Sequence, residues 1–121
     1  MIRVLLLIIG VLLLQNTNDQ ITMREYNNKW CYDGDTCYIT YKGKEERLRI
    51  RDLNAPEMNT FKGIMSSVYA NKLIDQAKII TFENIGRDKY GRVLADIYLD
   101  GESFKEIMIR EGYGEEWIWI N

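Results

Sequence analysis

Residues 33–57 read DGDTCYITYKGKEERLRIRDLNAPE, and this stretch decides the fold. Thr36 to Tyr41 is a run of β-branched and aromatic residues with one cysteine, the composition of a strand. Lys42-Gly43-Lys44 marks the next turn. From Arg47 to Arg51 the chain alternates, with Leu48 and Ile50 set against three arginines. That is the pattern of a half-buried strand, and it puts Arg47, Arg49 and Arg51 on one face. Leu53 falls out of phase, so the strand is expected to bend near Asp52. Asn54-Ala55-Pro56-Glu57 then ends it, because proline cannot continue the ladder. Upstream, Asp33-Gly34 interrupts the apolar pattern as a hairpin turn would, which makes 27–33 and 35–42 the first two strands.

Beyond Glu57 the period changes. Ile64, Met65, Val68, Tyr69, Leu73, Ile74 and Ala77 fall at helical spacing, predicting a helix over 64–78 with one buried face. Strands follow over 79–85 and 93–99, separated by the polar turn 86–92. Ser103 with Glu106 resembles a capping box, and it opens a second helix, 104–111, that stops at Gly112. The tail from Tyr113 reads as a short extended segment. Three strands, a helix, two strands and a helix predict an α+β, mainly β fold. The layout is a five-stranded OB-type barrel with a helix between strands 3 and 4 and a second helix after strand 5. Such barrels bind many things, so the layout alone assigns no function.

The chain has 121 residues, enough for one domain. Residues 1–20 stand apart. One arginine precedes an unbroken apolar run, Val4 to Leu14, which suits a signal peptide or an N-terminal membrane anchor better than a full span. Residues 21–121 are then left to build the domain. Export bears on the two cysteines. Cys31 and Cys37 flank the Asp33-Gly34 turn, and the residues leave two readings open: a disulfide formed in an oxidising compartment, or two free thiols packed as small apolar groups.

The chain contains no histidine, which excludes histidine triads, histidine general bases and histidine metal sites. Two cysteines exclude a four-cysteine zinc site. The chemistry must come from other residues. Asp35 and Asn54 offer oxygens at the ends of neighbouring strands, the donors that hard divalent cations prefer. Arg49 and Arg92 can hold a phosphate and offset charge that builds during its displacement. Glu57 is a carboxylate on the same rim, able to orient or deprotonate a water. Together they suit phosphodiester hydrolysis without histidine.

These residues resemble the staphylococcal nuclease (thermonuclease) family. The likeness covers roughly 27–114 and rests on DGDT, a strand arginine, P-E and D-K-Y-G-R occurring in that order. It implies a calcium-dependent, sugar-nonspecific nuclease that hydrolyses DNA and RNA and leaves 3′-phosphate products. Asp35 would be a direct Ca2+ ligand. Asn54 stands where the family usually has a second aspartate, the backbone carbonyl of Ala55 would complete the protein's share, and Asp33 would lie just outside. Glu57 would be the general base or water-orienting group. Arg49 and Arg92 would bind the scissile phosphate, and Lys89 and Tyr90 the terminal phosphate and sugar. Asn54 costs one negative charge, so calcium affinity should fall, unless Asp52 compensates. The segment 58–63 is short for the family, and the family's final long helix has no counterpart before the chain's last residue. Tyr113, Trp117 and Trp119 are therefore the candidates for an aromatic contact to a base.

The net charge of −2 is segregated. Residues 42–51 carry five Lys/Arg against two Glu, whereas from Asp96 onward there are seven acids and two bases. A weakly basic site on an acidic body fits DNA or RNA that is single-stranded or frayed better than long duplex gripped along a groove. The expectation is a monomeric enzyme, exported or held to a membrane only by its N-terminal segment. The alternative is a barrel with weakened chemistry that acts as a nucleic-acid or protein binding module.

Overall fold

The computed structural model describes residues 21–117, so the leader reading and Trp119 lie outside the described residues. In chain order the elements are β1 (Ile21–Met23), β2 (Cys31–Asp33), β3 (Thr36–Tyr41), β4 (Lys44–Ile50), β5 (Leu53–Asn54), α1 (Phe61–Gln76), β6 (Ile80–Arg87), β7 (Val93–Leu99), β8 (Glu102–Ser103), α2 (Phe104–Arg110) and β9 (Glu115–Glu116). The main sheet runs β1-β3-β4-β7-β6, with β2 added to β3 and β8 to β7, and β5 pairs separately with β9. The fold is α+β and mainly β: a half-barrel with two helices. Every pairing is antiparallel except β4 with β7. A parallel pair needs a long crossover, and the chain makes it through α1 and β6.

The hairpin β3–β4 closes through Lys42 and Gly43, both at positive φ (50° and 79°), as a two-residue primed turn requires. Along β4, Leu48 and Ile50 point inward and are almost fully buried, and Val93, Ala95, Ile97 and Leu99 do the same along β7. Phe104 and Met108 of α2 join this core. Asp52, at φ 58°, makes the bend that throws Leu53 out of phase and into the interior.

Three details differ from the sequence pattern. The strand expected over 27–33 is confined to Cys31–Asp33, because Asn27 and Asn28 adopt left-handed backbone and Tyr26 pairs with Lys29 across them. Helix α1 begins earlier than Ile64, since the Thr60 hydroxyl accepts from Gly63 N at 3.0 Å and caps it. Its buried face matches the apolar stripe only in part: Ile74 is buried and Tyr69, Leu73 and Ala77 pack against the core, but small residues fill its centre. Gly63, Ser66, Ser67, Ala70 and Ile74 face inward, whereas Ile64 and Val68 are about half exposed. Small residues let the helix sit close to β2. The serines then act as ties: Ser66 Oγ donates to Tyr113 O (2.6 Å) and Ser67 Oγ to Tyr32 O (3.0 Å). Asn71 accepts from Trp30 N and Cys31 N and donates to Cys31 O. Gly34 serves the same close approach, since a Cβ there would come within 2.1 Å of Ser66 Oγ.

Cys31 and Cys37 are directly opposed across β2 and β3, fully buried, and joined as a disulfide. The two cysteines are six residues apart, a short loop, so cross-linking removes only modest freedom from the unfolded chain. Replacing both by alanine is expected to cost about 2 kcal/mol and to lower Tm by roughly 10 °C. Calorimetry of both proteins in non-reducing buffer checks this, and equal melting temperatures would contradict a stabilising bond.

Candidate nucleic-acid cleft

The site is organised around Asp35, which is buried at the end of the β2–β3 turn. Its Oδ1 accepts from Thr36 Oγ1 (2.9 Å) and its Oδ2 from Ala55 N (2.7 Å), while Asp35 N donates to Asp33 Oδ1 (3.1 Å). The Ala55 hydrogen bond pulls the segment 54–55 against the DGDT turn. It brings Asn54 and Ala55 beside the two aspartates although about twenty residues separate them in sequence. Burial first, and then the neighbouring Asp35 carboxylate, push the pKa of Asp33 up to about 7.

Arg49 sits beside this turn. Its Nη1 donates to Ile50 O at 2.9 Å and to Leu53 O, filling the inside of the Asp52 bend, and its Nη2 lies 3.6 Å from Asp35 Oδ2. From there it borders a cleft of about 470 Å³. Asn54, Lys89, Tyr90 and Arg92 line the same cleft, so five of the residues picked from sequence converge on one concave surface. Asn54 also borders a second, smaller cleft that it shares with Ala55 and Pro56.

Lys89, Tyr90 and Arg92 belong to the β6–β7 loop, and Asp88 shapes that loop. Its Oδ1 accepts from Tyr90 N and Arg92 N (both 2.9 Å), and its Oδ2 pairs with Arg92 Nε at 2.6 Å. Burial alone would raise the Asp88 pKa. The Arg92 side chain outweighs it, together with the amides of Arg92 and Tyr90, and the carboxyl is held below its usual range. The pairing uses Arg92 Nε and leaves the terminal guanidinium nitrogens out of it. Tyr90 is 71% exposed, with Lys89 Nζ 5.1 Å and Arg92 Cζ 5.4 Å from its ring centre.

Other residues fall differently. Glu57 is exposed on the loop after Pro56 and does not line the cleft. Its carbonyl accepts from Thr60 N and Oγ1, which ties that loop to the start of α1. Tyr113 stacks on Tyr69 at 4.5 Å, packed against the core, so of the aromatic candidates it is Trp117 that borders the cleft. Trp117 N donates to Asp52 O (2.8 Å), and Asp52 lines the cleft as well. The sequence named Trp117 among three aromatic candidates without a signal to choose between them. It had one for Asp88, since an aspartate two and four residues before the amides it accepts, with Gly91 between, is a local turn pattern.

Among the described residues no cluster of three or more His, Cys, Asp or Glu is placed to hold a metal. The donors grouped here are Asp33 and Asp35, with the segment that carries the Asn54 amide and the Ala55 carbonyl held beside them through Ala55 N. All are oxygen donors, the kind a hard cation prefers, and a cation there would offset the burial and the neighbouring Asp35 charge that raise the Asp33 pKa.

Fold and cleft define a class: a mainly β half-barrel that presents arginines, a lysine and aromatic rings beside a group of oxygen donors. A family model described as staphylococcal nuclease homologue matches residues 47–119, and the chain belongs to that family. It is 33% identical over 88 residues to Endonuclease YncB of Bacillus subtilis (strain 168), covering 66% of this chain and 42% of that protein. An SPbeta prophage-derived endonuclease, YokF, from the same organism is 33% identical over 88 residues, covering 66% and 30%. An uncharacterized endonuclease of Escherichia coli is 33% identical over 81 residues, covering 66% and 52%. The chain thus spans about half or less of the length of these relatives.

The Asp88 network has a defined pH sense. Its folded pKa is lowered, so its contribution is present above the ordinary carboxyl value of about 3.9 and is lost as pH falls below it. Protection of the Tyr90 and Arg92 amides, relative to the intrinsic exchange rate at each pH, is expected to fall in wild type only in that acid range. In Asp88→Ala their exchange is expected to be about tenfold faster at neutral pH already, an effect of about 1.4 kcal/mol. Unchanged protection in the variant would show that other contacts hold the loop.

Proposed function

We propose that the protein is a calcium-dependent, sugar-nonspecific nuclease that hydrolyses phosphodiester bonds of DNA and RNA to 3′-phosphate products. The observation that carries this reading is the convergence of Arg49, Arg92, Lys89 and Tyr90 on one cleft, next to the oxygen set of Asp35, Asn54 and Ala55. Two arginines suit a phosphate whose oxygens gain charge as a fifth ligand approaches phosphorus. Arg92, with its Nε held by Asp88, presents a pre-positioned guanidinium for that task. Lys89 and Tyr90 then take the adjoining phosphate and sugar. Glu57 takes the proton of the attacking water, working from the loop that follows Pro56. Ca2+ held by Asp35, Asn54 and the Ala55 carbonyl, with Asp33 behind, would polarise a phosphoryl oxygen. Asn54 supplies an oxygen but no charge, which weakens that hold.

The substrate is a strand that is single or frayed, because the cleft is small and the basic surface limited. The protein acts as a monomer outside the cytoplasm, exported or anchored by residues 1–20. The buried disulfide supports an oxidising compartment, since such bonds rarely persist in a reducing one. Among the described residues no helix is long and apolar enough to cross a membrane. A second reading, a barrel that binds nucleic acid or protein without cutting, is favoured by Asn54 and by the place of Glu57 outside the cleft.

Incubating the purified protein with single-stranded DNA, with calcium or with a chelator, separates the two. Calcium-dependent degradation is expected. Arg92→Ala is expected to lower kcat by about 10²–10³-fold and Glu57→Gln by about 10²–10⁴-fold, with circular dichroism unchanged. Binding without degradation by a folded protein would leave the binding module standing.

A further inference from the structure

The outer face of β4 continues past the cleft. Thr36 opposes Arg49 and Tyr38 opposes Arg47, successive pairs on the same face of the sheet. Same-face residues along a strand lie about 6.8 Å apart, so Arg47 stands one such step from Arg49. Arg24 reaches the same place from the chain after β1. Its backbone N donates to Tyr38 O (3.0 Å) and its Nε to Ile39 O (3.3 Å).

The result is a cluster of two guanidiniums and two rings. Arg24 Cζ lies 5.7 Å and Arg47 Cζ 6.0 Å from the Tyr38 ring centre, and Arg24 also lies 5.8 Å from Tyr26. The rings of Tyr26 and Tyr38 are 5.1 Å apart, with Tyr38 covered and Tyr26 about half exposed. Arg49, Arg87, Arg92 and Arg110 each have a carboxylate partner. Among the described residues neither Arg24 nor Arg47 is ion-paired, although Glu25 and Glu45 are near in sequence and exposed. Arg24 stands on the β1 side of Tyr38 and Arg47 on its β4 side, so the two guanidiniums flank the ring. A cation–π contact at an exposed site returns only about 0.5–1 kcal/mol, which leaves each guanidinium available to a phosphate oxygen.

We propose that Arg24, Tyr26, Tyr38 and Arg47 form a second phosphate subsite. It holds the sugar–phosphate backbone of single-stranded nucleic acid leaving the cleft, with a base laid on the exposed face of Tyr26. The inference rests on the nuclease reading and extends its substrate from a short fragment to a strand several nucleotides long. Arg47 belongs to the same surface as Arg49, so one strand of nucleic acid meets both.

The test is anisotropy of a labelled thymidine 12-mer and a labelled trinucleotide, with calcium chelated, over a salt series. Arg24→Gln/Arg47→Gln is expected to weaken 12-mer binding at least tenfold at low salt. It is expected to flatten the slope of log K against log salt by about 1.4, two contacts at about 0.7 each. Trinucleotide binding stays the same, and Arg47→Lys restores most of the slope that Arg47→Gln loses. An unchanged slope in the double variant, with Tm showing it folded, overturns the subsite. So does an equal loss for the trinucleotide. If the double variant does not fold, Arg47→Gln alone decides, with a flattening of about 0.7 expected and none overturning the proposal. A wild type that binds neither oligonucleotide overturns the subsite, as does binding of both with no change in the variants; the nuclease reading is decided separately by calcium-dependent degradation of single-stranded DNA.

Discussion

The hydrogen bond from Ala55 N to Asp35 Oδ2 is the contact on which the site depends. It is buried, it is accepted by a charged group, and it joins two turns that no strand pairing connects. The β2–β3 turn is also held by Ile50 N donating to Asp35 O (2.8 Å) and by the ties from α1. The segment after Asp52 is also held by its pairing with β9 and by Trp117 N donating to Asp52 O, but this bond is the one that joins the two directly. Arg49 reinforces the junction from the other side by donating to the carbonyls of the bend and approaching the same carboxylate. One aspartate therefore acts both as a strut and as a prospective cation ligand. Its substitution would lose position and charge together.

The same economy recurs in the β6–β7 loop, where Asp88 accepts from two amides and from Arg92. Both carboxylates spend part of their charge on the geometry of a neighbouring arginine. Arg92 is more exposed than Arg49, with side-chain exposures of 38% against 17%, and has fewer bonds to its own backbone. It is thus the arginine freer to follow a phosphate, while Arg49 is the fixed wall of the cleft.

What was legible in the sequence follows the range of the interactions. β3, β4 and β7 announce themselves, because alternation is local and their buried sides are all apolar. Thr60 and Ser103 cap their helices within three residues, also a local matter. β1, β5 and β9 are two or three residues long and exist only because a partner lies opposite, so no periodicity marks them. The inward face of α1 was legible in part, through Tyr69, Leu73, Ile74 and Ala77, and its centre was missed for a related reason. Apolar spacing identifies a core-facing stripe only when the helix stands off at ordinary distance. Here a close approach selects serine, glycine and alanine instead. In the site, the motif order placed Arg49, Asn54, Lys89, Tyr90 and Arg92 on one cleft. It left Trp117 as one of three aromatic candidates, because its place is fixed by a hydrogen bond to Asp52 across the chain.

Asn54 is best understood through the charges around it. Asp33 lies beside Asp35, and its pKa is raised first by burial and then by the Asp35 carboxylate. A third carboxylate at position 54 would add to that repulsion, with Arg49 the nearby cation already drawn to Asp35. A neutral amide keeps an oxygen at the rim and spares the cation-free protein that cost, at the expense of attraction for the cation. On the proposed reading, position 54 thus trades attraction for a cation against repulsion in the cation-free protein. An oxygen at position 54 is replaced by an amide nitrogen, and the fold that carries it is left unaltered.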